Sequence, residues 1–513
     1  MKNTKSKTMS LNMISSLVCQ LLTVASGLIV QRYILVAFGS TYNGLTSLVS
    51  QIISYLVLLE AGIGAASIQA FYHPMNQGDW NSINGIMNAT AKSYRQVGYM
   101  FGALLAVSAL IIPLAAVGEI DYIIAVLITL IAGGGNMLTY MISGKYVAFI
   151  NAERKSYVRY TITSVSIVVS SVLRIVAIVN GRSLVEVQAI NLLCVFVQSI
   201  VLATYVRRKY PLLDRKVKPD FKAISKRWNV LVHSIAGLVV NHTDIIFLSI
   251  GKALKFVSVY SVYNMIYSHI GHLIQITFVQ ALQGDFGRIF DKDKKEFERL
   301  YAVYETMFTV FLFVVSTLAI VLTLPFVGLY TKGVTDVKYI DVWLPVLFVA
   351  VFLLNQIRTP VLLTINATGA FKETQRGAII EPIICLVASL SLFLFTDLGM
   401  YGLLLGKVCS FVFRTTDVFC YVYRHVISRS VKSLTRLVTV NAVTMGVFIY
   451  ILYIWKPICV NNYAEWVLCA LLLGVVVLTV YVLMNLLFNR NDTKLAVDYV
   501  CGALKKKFFK GSK

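Results

Sequence analysis

Apolar runs of about 20 residues recur from one end of the chain to the other, separated by short polar stretches. Each run is long enough to cross a hydrocarbon core of roughly 30 Å. The pattern predicts about fourteen helical spans, near residues 11–35, 44–70, 96–118, 121–146, 158–180, 184–206, 229–251, 256–282, 301–327, 342–366, 377–396, 399–423, 436–455 and 464–488. Almost nothing is left over for a soluble domain.

Composition agrees with the pattern. Of 513 residues, 58% are hydrophobic and 14% charged, and the mean hydropathy is +0.74, far from the roughly one quarter charged of soluble domains. A formal charge of +23 would suit nucleic acid, but the placement of the basic residues argues against that partner. Lys2, Lys5 and Lys7 precede the first span, and the remaining excess falls in alternate loops: Lys145 to Arg159, Arg207 to Arg227, Arg288 to Arg299, Lys372 and Arg376, Arg424 to Arg436, and the C-terminal tail. The intervening loops hold few, such as Arg182, Lys252, Lys255, Lys332, Lys338 and Lys456. This positive-inside distribution places both termini in the cytoplasm and requires an even number of spans. The first run is expected to be a retained span rather than a signal peptide, being too long and containing Gln20, Gln31 and Arg32. The eight cysteines are scattered without a CxxC pair, so neither a disulfide framework nor a metal site is expected, and no cofactor is called for.

Two segments share a pattern at a nearly constant offset. Phe38-Gly39, followed by Leu45-Thr46, parallels Ile250-Gly251, followed by Val257-Ser258; Ile150-Asn151-Ala152 recurs as Ile365-Asn366-Ala367. The matches suggest two parallel six-helix units, an architecture that puts a transporter's substrate site between the halves; on the same offset Glu60 superposes on His272. The expected fold is therefore all-α and membrane-integral, with two parallel six-helix lobes around a central cavity plus two C-terminal helices. Its parts are an N-lobe at 1–206, a basic cytoplasmic linker at 207–228, a C-lobe at 229–424, two further spans at 425–490 and a basic cytoplasmic tail at 491–513. The linker, rich in Arg and Lys and broken by Pro211 and Pro219, suits anionic lipid at the inner leaflet as well as a plain topogenic role. The tail, mixing Leu504, Phe508 and Phe509 with Lys505, Lys506, Lys507 and Lys510, reads as an interfacial segment.

Polar groups inside spans carry the chemistry, because lipid offers them no partner. Glu60 lies in span two, and helical spacing puts it on one face with Gly64 and Ser67. It faces either a water-filled cavity or a neighbouring helix that satisfies it structurally. Span seven carries His233, Gly237, Asn241, Asp244 and Gly251 on one broad face, and span eight carries Ser261, Asn264, Ser268, His272 and Gln275. These stripes face either a cavity or other helices. The intramembrane cations are Arg174 in span five, Arg358 before Pro360 in span ten, Lys407 and Arg414 in span twelve, and Arg32 near the outer end of span one. A buried arginine must be paired, hydrated or bound to an anion, and its planar fork suits phosphate oxygens. Arg414 has Asp417 three residues on, and Arg32 is close enough to the span end to snorkel. Arg174 and Arg358 have no partner nearby in sequence, which leaves them as cavity cations or as partners of Glu60, Asp244 or Glu381. No P-loop, GxSxG or HExxH motif is present, so the reading is a transporter driven by gradients or by its substrate, not an enzyme.

The stretches LLEAGIGAA with the following FYHPMNQGDWNSIN, NHTDIIFLSIG in span seven, and YTKGVTDVKYID leading through IRTP, INATGAFKETQRGAIIEP and LGMYGLLLGKV resemble, as an ordered series, the polysaccharide transporter family. These are the lipid-linked oligosaccharide flippases of the multidrug/oligosaccharidyl-lipid/polysaccharide exporter superfamily. The chain departs from that family at Glu60, where aspartate is common, and at Cys385, where asparagine often stands. The resemblance implies a V-shaped pair of lobes around a cavity that opens alternately to either side of a bacterial cytoplasmic membrane. It implies as substrate an undecaprenyl-pyrophosphate carrying an oligosaccharide repeat unit, moved from the inner to the outer leaflet for capsule or O-antigen assembly. Coupling to a proton or sodium gradient would involve Glu60, Asp244 and Glu381; membrane lipids and a polysaccharide polymerase are candidate partners. Arg174, Arg358, Lys407, Arg414 and Arg32 would bind the anion, with Asn241, His272 and Gln275 among the polar cavity groups. A drug exporter of the same superfamily, which should be acid-rich and cation-poor, is one alternative, and a membrane polysaccharide polymerase or ligase is another.

Overall fold

Backbone N–H and C=O groups inside lipid must find partners within their own segment, and the apolar runs of this chain do so as helices. The computed structural model describes residues 2–499 apart from positions 61, 117, 215, 252, 281–285, 287–288, 291–292 and 455–459, and without the side chains of 2–6, 115, 225–236, 276, 280, 371–372 and 452–454. The expected interfacial tail from Leu504 to Lys510, the loop cations Lys252 and Lys456, and the side chain of His233 lie outside the described residues. Among the described residues there is no β-strand, and ten helical tracts are long and apolar enough to cross a membrane. The all-α membrane class expected from the sequence is thus the class observed. Leu254–Ile274 and Met400–His425 fall outside those ten, and the stretch Gly237–Gly251 is apolar but shorter. Leu254–Ile274 carries a polar stripe and Met400–His425 carries Lys407, Arg414 and Asp417, so the polar groups lower the apolarity of these two helices.

The contacts divide the chain into two compact units, Met1–Ser261 with Gly333–Val337, and Val262–Lys332 with Lys338–Lys513. In the first unit, α1 (Lys2–Leu56) covers predicted span one and the first part of span two, and the expected loop between them shrinks to a break at Gly39, with φ 83 and ψ 178. Asp336 caps the resumed helix, accepting from Ser40 N at 2.8 Å and Ser40 Oγ at 2.6 Å. A Cβ on Gly39 would stand 3.2 Å from Asp336 Oδ2. This backbone region is essentially closed to side chains, so Gly39→Ala is expected to cost about 1–3 kcal/mol, read as a lower unfolding temperature of the detergent-purified protein.

Span two is not the continuous helix expected over 44–70. A 3-10 turn at Val57–Glu60 and a left-handed Gly62 (φ 87) interrupt it before α2 (Ile63–Gln77) begins. The unit continues through α3 (Trp80–Ile111), α4 (Tyr122–Leu138), a π-turn at Thr139–Ser143, α5 (Gly144–Ala152), α6 (Ser156–Val179) and α7 (Leu184–Lys209). Asp79 and Asp121 cap α3 and α4, and Ser183 with Glu186 forms a capping box on α7. Outside the spans, the hydroxyl and backbone N–H of Ser82, with the Asn81 N–H, hold the Asp79 carboxyl below its ordinary range.

The same unit takes in α8 (Trp228–Gly251) and the start of α9 (Leu254–Ile274). Here the two stretches that the sequence pairs at constant offset lie against each other. Buried Asn43 donates to Ser258 Oγ at 2.6 Å, and Gly44 approaches so closely that a Cβ there would stand 2.0 Å from the Leu254 carbonyl oxygen. Glu119 accepts from Leu254 N at 3.2 Å, which satisfies a free donor at the start of α9.

The second unit holds the rest of α9 with α10 (Lys294–Tyr330), α11 (Trp343–Ile357), α12 (Thr359–Thr368), α13 (Phe371–Phe395), α14 (Met400–His425), α15 (Val431–Ile454) and α16 (Tyr463–Phe488). Predicted span ten is two helices that meet at Arg358, with Pro360 in the first turn of the second. α13 and α14 pack through Gly402 and Gly406, whose missing side chains admit the backbones of Leu392 and Ser389. On α9, Tyr263 and Tyr267 stack on Phe348 of α11 at 5.8 and 5.5 Å between ring centroids.

Candidate functional site

The break after Ile357 points Arg358 at α13 and α14. Its Nη1 donates to Glu381 Oε1 at 2.5 Å, its Nη2 to Asn355 Oδ1 at 2.6 Å and its Nε to the Asn355 carbonyl at 3.2 Å. The guanidinium lies over the Phe411 ring, 4.8 Å from the centroid. Glu381 meets a second arginine on its other oxygen: Arg414 Nε stands 3.7 Å from Oε2. Arg414 donates through Nη1 to Asp417 Oδ2 at 2.6 Å and to the Thr374 carbonyl at 3.1 Å. The side chains of Arg358, Glu381 and Arg414 are 11%, 12% and 7% exposed, whereas Asp417 is 37% exposed and forms the open side. Lys407 is buried and shares the α14 face with Phe411 and Arg414 at positions i, i+4 and i+7.

Three of the predicted groups, Arg358, Glu381 and Arg414, therefore form one cluster, and Asp417 is the ion-pair partner that spacing suggested for Arg414. Such a group holds its charges by pairing and hydrogen bonding, as a weakly solvated region demands. Chemically it is a two-guanidinium clamp with a carboxylate seated in it.

The stripe on α9 leads toward this cluster. Ser268, His272 and Gln275 are exposed while Tyr263 and Tyr267 on the opposite face are buried. Gly271 lies against α11, where a Cβ would be 3.1 Å from Gln356 Nε2, two residues before Arg358. Exposed polar groups within a predicted span belong against water rather than lipid.

In the first unit the predicted residues are dispersed. Half-buried Glu60 accepts from the Tyr94 hydroxyl at 2.7 Å. The helix break removes the shared helical face expected for Glu60, Gly64 and Ser67. Even so, Gly64 still borders the carboxylate, since a Cβ there would meet Glu60 Oε1 at 2.9 Å, while Ser67 turns to Thr90. Asp244 is buried and accepts from Tyr260, whereas Asn241 is exposed and donates to the Gly237 carbonyl of its own helix, so the α8 stripe divides. Arg32 is half-buried beside Gln31, which donates to Asn43. Arg174 is half-buried, and its Nε is buried without a hydrogen-bond partner among the described residues.

Sequence reasoning missed the groups that hold these. Asn355 and Phe411 orient Arg358, and Tyr94 holds Glu60. It also missed a polar ladder below Arg174, where Thr163, Ser166 and Ser170 of α6 meet Gln198, the Cys194 carbonyl and Asn191 of α7. Their positions, 163, 166, 170 and 174, repeat at helical spacing and give a legible signal. A third omission is Glu305, 1% exposed on α10, which accepts from Tyr301, Tyr423 and Arg429; Arg429 in turn reaches Asp492 at 2.5 Å.

These helices define a multi-span all-α fold that solved structures share. A solved structure described as the lipid II flippase MurJ in an inward closed conformation superposes with a TM-score of 0.66 at 13% identity, covering 94% of this chain and 99% of that one. An inward-facing multidrug resistance MATE family transporter of the MOP superfamily gives 0.59 at 14% identity over 77% of this chain and 93% of its own. A MATE crystal structure in a bent conformation gives 0.56 at 13% identity over 85% and 97%. No family model matches the sequence, and no curated protein matches it.

Proposed function

We propose that this chain is a transporter, not an enzyme, that flips undecaprenyl-pyrophosphate-linked oligosaccharide repeat units from the inner to the outer leaflet of a bacterial cytoplasmic membrane, with both termini cytoplasmic. The observation that carries the reading is the pair of arginines around Glu381, set deep in helices of a fold shared with a lipid II flippase. Guanidinium forks complement phosphate oxygens, and two of them match the two phosphoryl groups of a pyrophosphate. The exposed polar stripe on α9 supplies hydrogen-bond partners for sugar hydroxyls. In this reading residues 1–206 and 229–424 act as the two lobes of an alternating-access machine, with 207–228 as the linker and 425–490 as accessory helices. Arg174, Lys407 and Arg32 add positive potential along the path, and a polysaccharide polymerase receives the product.

A proton or sodium ion couples transport in the same reading, with Glu60 as one of its acids. Glu60→Gln keeps an acceptor oxygen for Tyr94 but removes the charge, which roughly halves such a hydrogen bond, about 1 kcal/mol. The expected outcome is unchanged yield of folded protein with flipping reduced about fivefold. Loss of folded protein instead would make Glu60 a structural acid.

The MATE similarity and the acids Glu60 and Glu305 favour a second reading, an ion-coupled exporter of organic cations. Reconstitution separates the two. Protein-dependent flipping of a lipid-linked oligosaccharide supports the first, and efflux of a small cationic dye without flipping supports the second.

A further inference from the structure

We infer that Glu381 sets the charge requirement of the anion site, acting as a resident carboxylate that a diphosphate displaces and a single phosphate does not. The inference rests on the flippase reading for its substrate and adds how that site selects it. Arg358 and Arg414 converge on opposite oxygens of Glu381, at 2.5 and 3.7 Å, so one carboxylate spans both guanidiniums. A bound anion would need that geometry. Asn355 and Phe411 fix Arg358 from below and behind, and the Thr374 carbonyl fixes Arg414, so the forks keep their places when the carboxylate leaves.

The charges facing the clamp can be counted helix by helix. Arg358 comes from the junction of α11 and α12, Glu381 from α13, and Arg414 and Asp417 from α14, with Lys407 on the same α14 face. In the contacts themselves two guanidiniums meet two carboxylates, and Glu381 is the one that lies between both guanidiniums. A single phosphate entering here merely exchanges one small anion for another, after dislodging a group that is already covalently tethered in place. A tethered competitor has a high effective concentration, so the entering ligand must bind the clamp far better than the carboxylate does. A diphosphate meets that condition, because each of its two phosphoryl groups takes one guanidinium. Entry is from the side of Asp417, the most exposed member of the cluster. Ser410 Oγ donates to the Glu381 backbone carbonyl at 2.8 Å, which anchors the backbone while the side chain swings.

The test uses the full-length protein in detergent, with inorganic pyrophosphate and inorganic phosphate as probes in titration calorimetry. Wild type is expected to bind pyrophosphate and to show no phosphate binding over the same concentration range. In Glu381→Gln the resident charge is gone while the side-chain shape remains. Pyrophosphate should then bind about tenfold tighter and phosphate binding should appear, so that the preference between them narrows. Asp417→Asn, which relieves Arg414 of its other carboxylate, should shift both ligands in the same direction and serves if the first variant does not fold. Pyrophosphate affinity unchanged in both variants, equal binding of the two anions by wild type, or no pyrophosphate binding by any form would overturn the inference. Failed flipping in proteoliposomes with intact displacement would remove the lipid-linked substrate and leave the clamp; successful flipping with unchanged affinities would do the reverse.

Discussion

Arg358→Ala is expected to reduce flipping in proteoliposomes to the level of protein-free vesicles, while the purified protein keeps its size-exclusion profile. Two features of the site separate function from folding here. Glu381 loses one guanidinium but keeps the other, Arg414 at 3.7 Å, so the change does not strand an isolated buried charge, the event that costs about 3–5 kcal/mol when a buried pair is broken outright. Phe411 loses the guanidinium over its ring, and Asn355 loses the two hydrogen bonds it accepts from Arg358. The anion, by contrast, loses the one fork held by a fixed acceptor and an aromatic face. Glu381→Ala should behave in the opposite way. It leaves Arg358 and Arg414 facing each other with no carboxylate between them, and the expected result is a lower unfolding temperature. Comparing the two variants by thermal unfolding and by flipping therefore distinguishes an anion site from a purely structural ion pair. Full transport by Arg358→Ala would remove that residue from the site.

Gly406→Ala is expected to abolish the folded protein, measured as loss of the monodisperse peak after purification. A Cβ at this position would lie 2.3 Å from Ser389 N and 2.4 Å from Ser389 Cα. Both are backbone atoms of the facing helix, so no side-chain rotation relieves the clash and α13 must move away from α14. Overpacking costs about 1–3 kcal/mol even where side chains can yield, and here the shift would also pull Glu381 from Arg414. Gly102→Ala provides the contrast. Its nearest neighbour is Met137 Sδ at 3.0 Å, the flexible end of a side chain, and that variant should purify normally.

The all-α membrane architecture was legible in the sequence because it depends only on apolar length, and length is additive along a chain. Helix breaks were less so. Gly39 and Gly62 are glycines among many, and only the backbone reveals that each takes a positive φ; nothing in the sequence near Gly39 announces that Asp336, almost 300 residues away, caps the turn. The charged site was partly legible. Arg358, Glu381 and Arg414 stood out as ions inside apolar runs, and the Arg414 to Asp417 pair follows from helical spacing. Which carboxylate met Arg358 did not, because that depends on how α11, α13 and α14 pack. Glu305 was just as conspicuous an acid, at 1% exposure, but its position near the start of an apolar run hid it among end-of-span charges. The repeat gave an unexpected return: segments paired by a weak offset proved to be segments in contact, through Asn43 with Ser258 and Gly44 with Leu254.

The central claim, that the chain flips a lipid-linked oligosaccharide, is tested most directly by reconstituting the purified protein in proteoliposomes loaded with a polyprenyl-pyrophosphate oligosaccharide. Accessibility of the sugar to a membrane-impermeant reagent then reports translocation. The account predicts protein-dependent exposure that saturates with substrate and disappears in Arg358→Ala. No exposure across several glycans, together with proton-coupled efflux of a small cationic dye from the same vesicles, would contradict it.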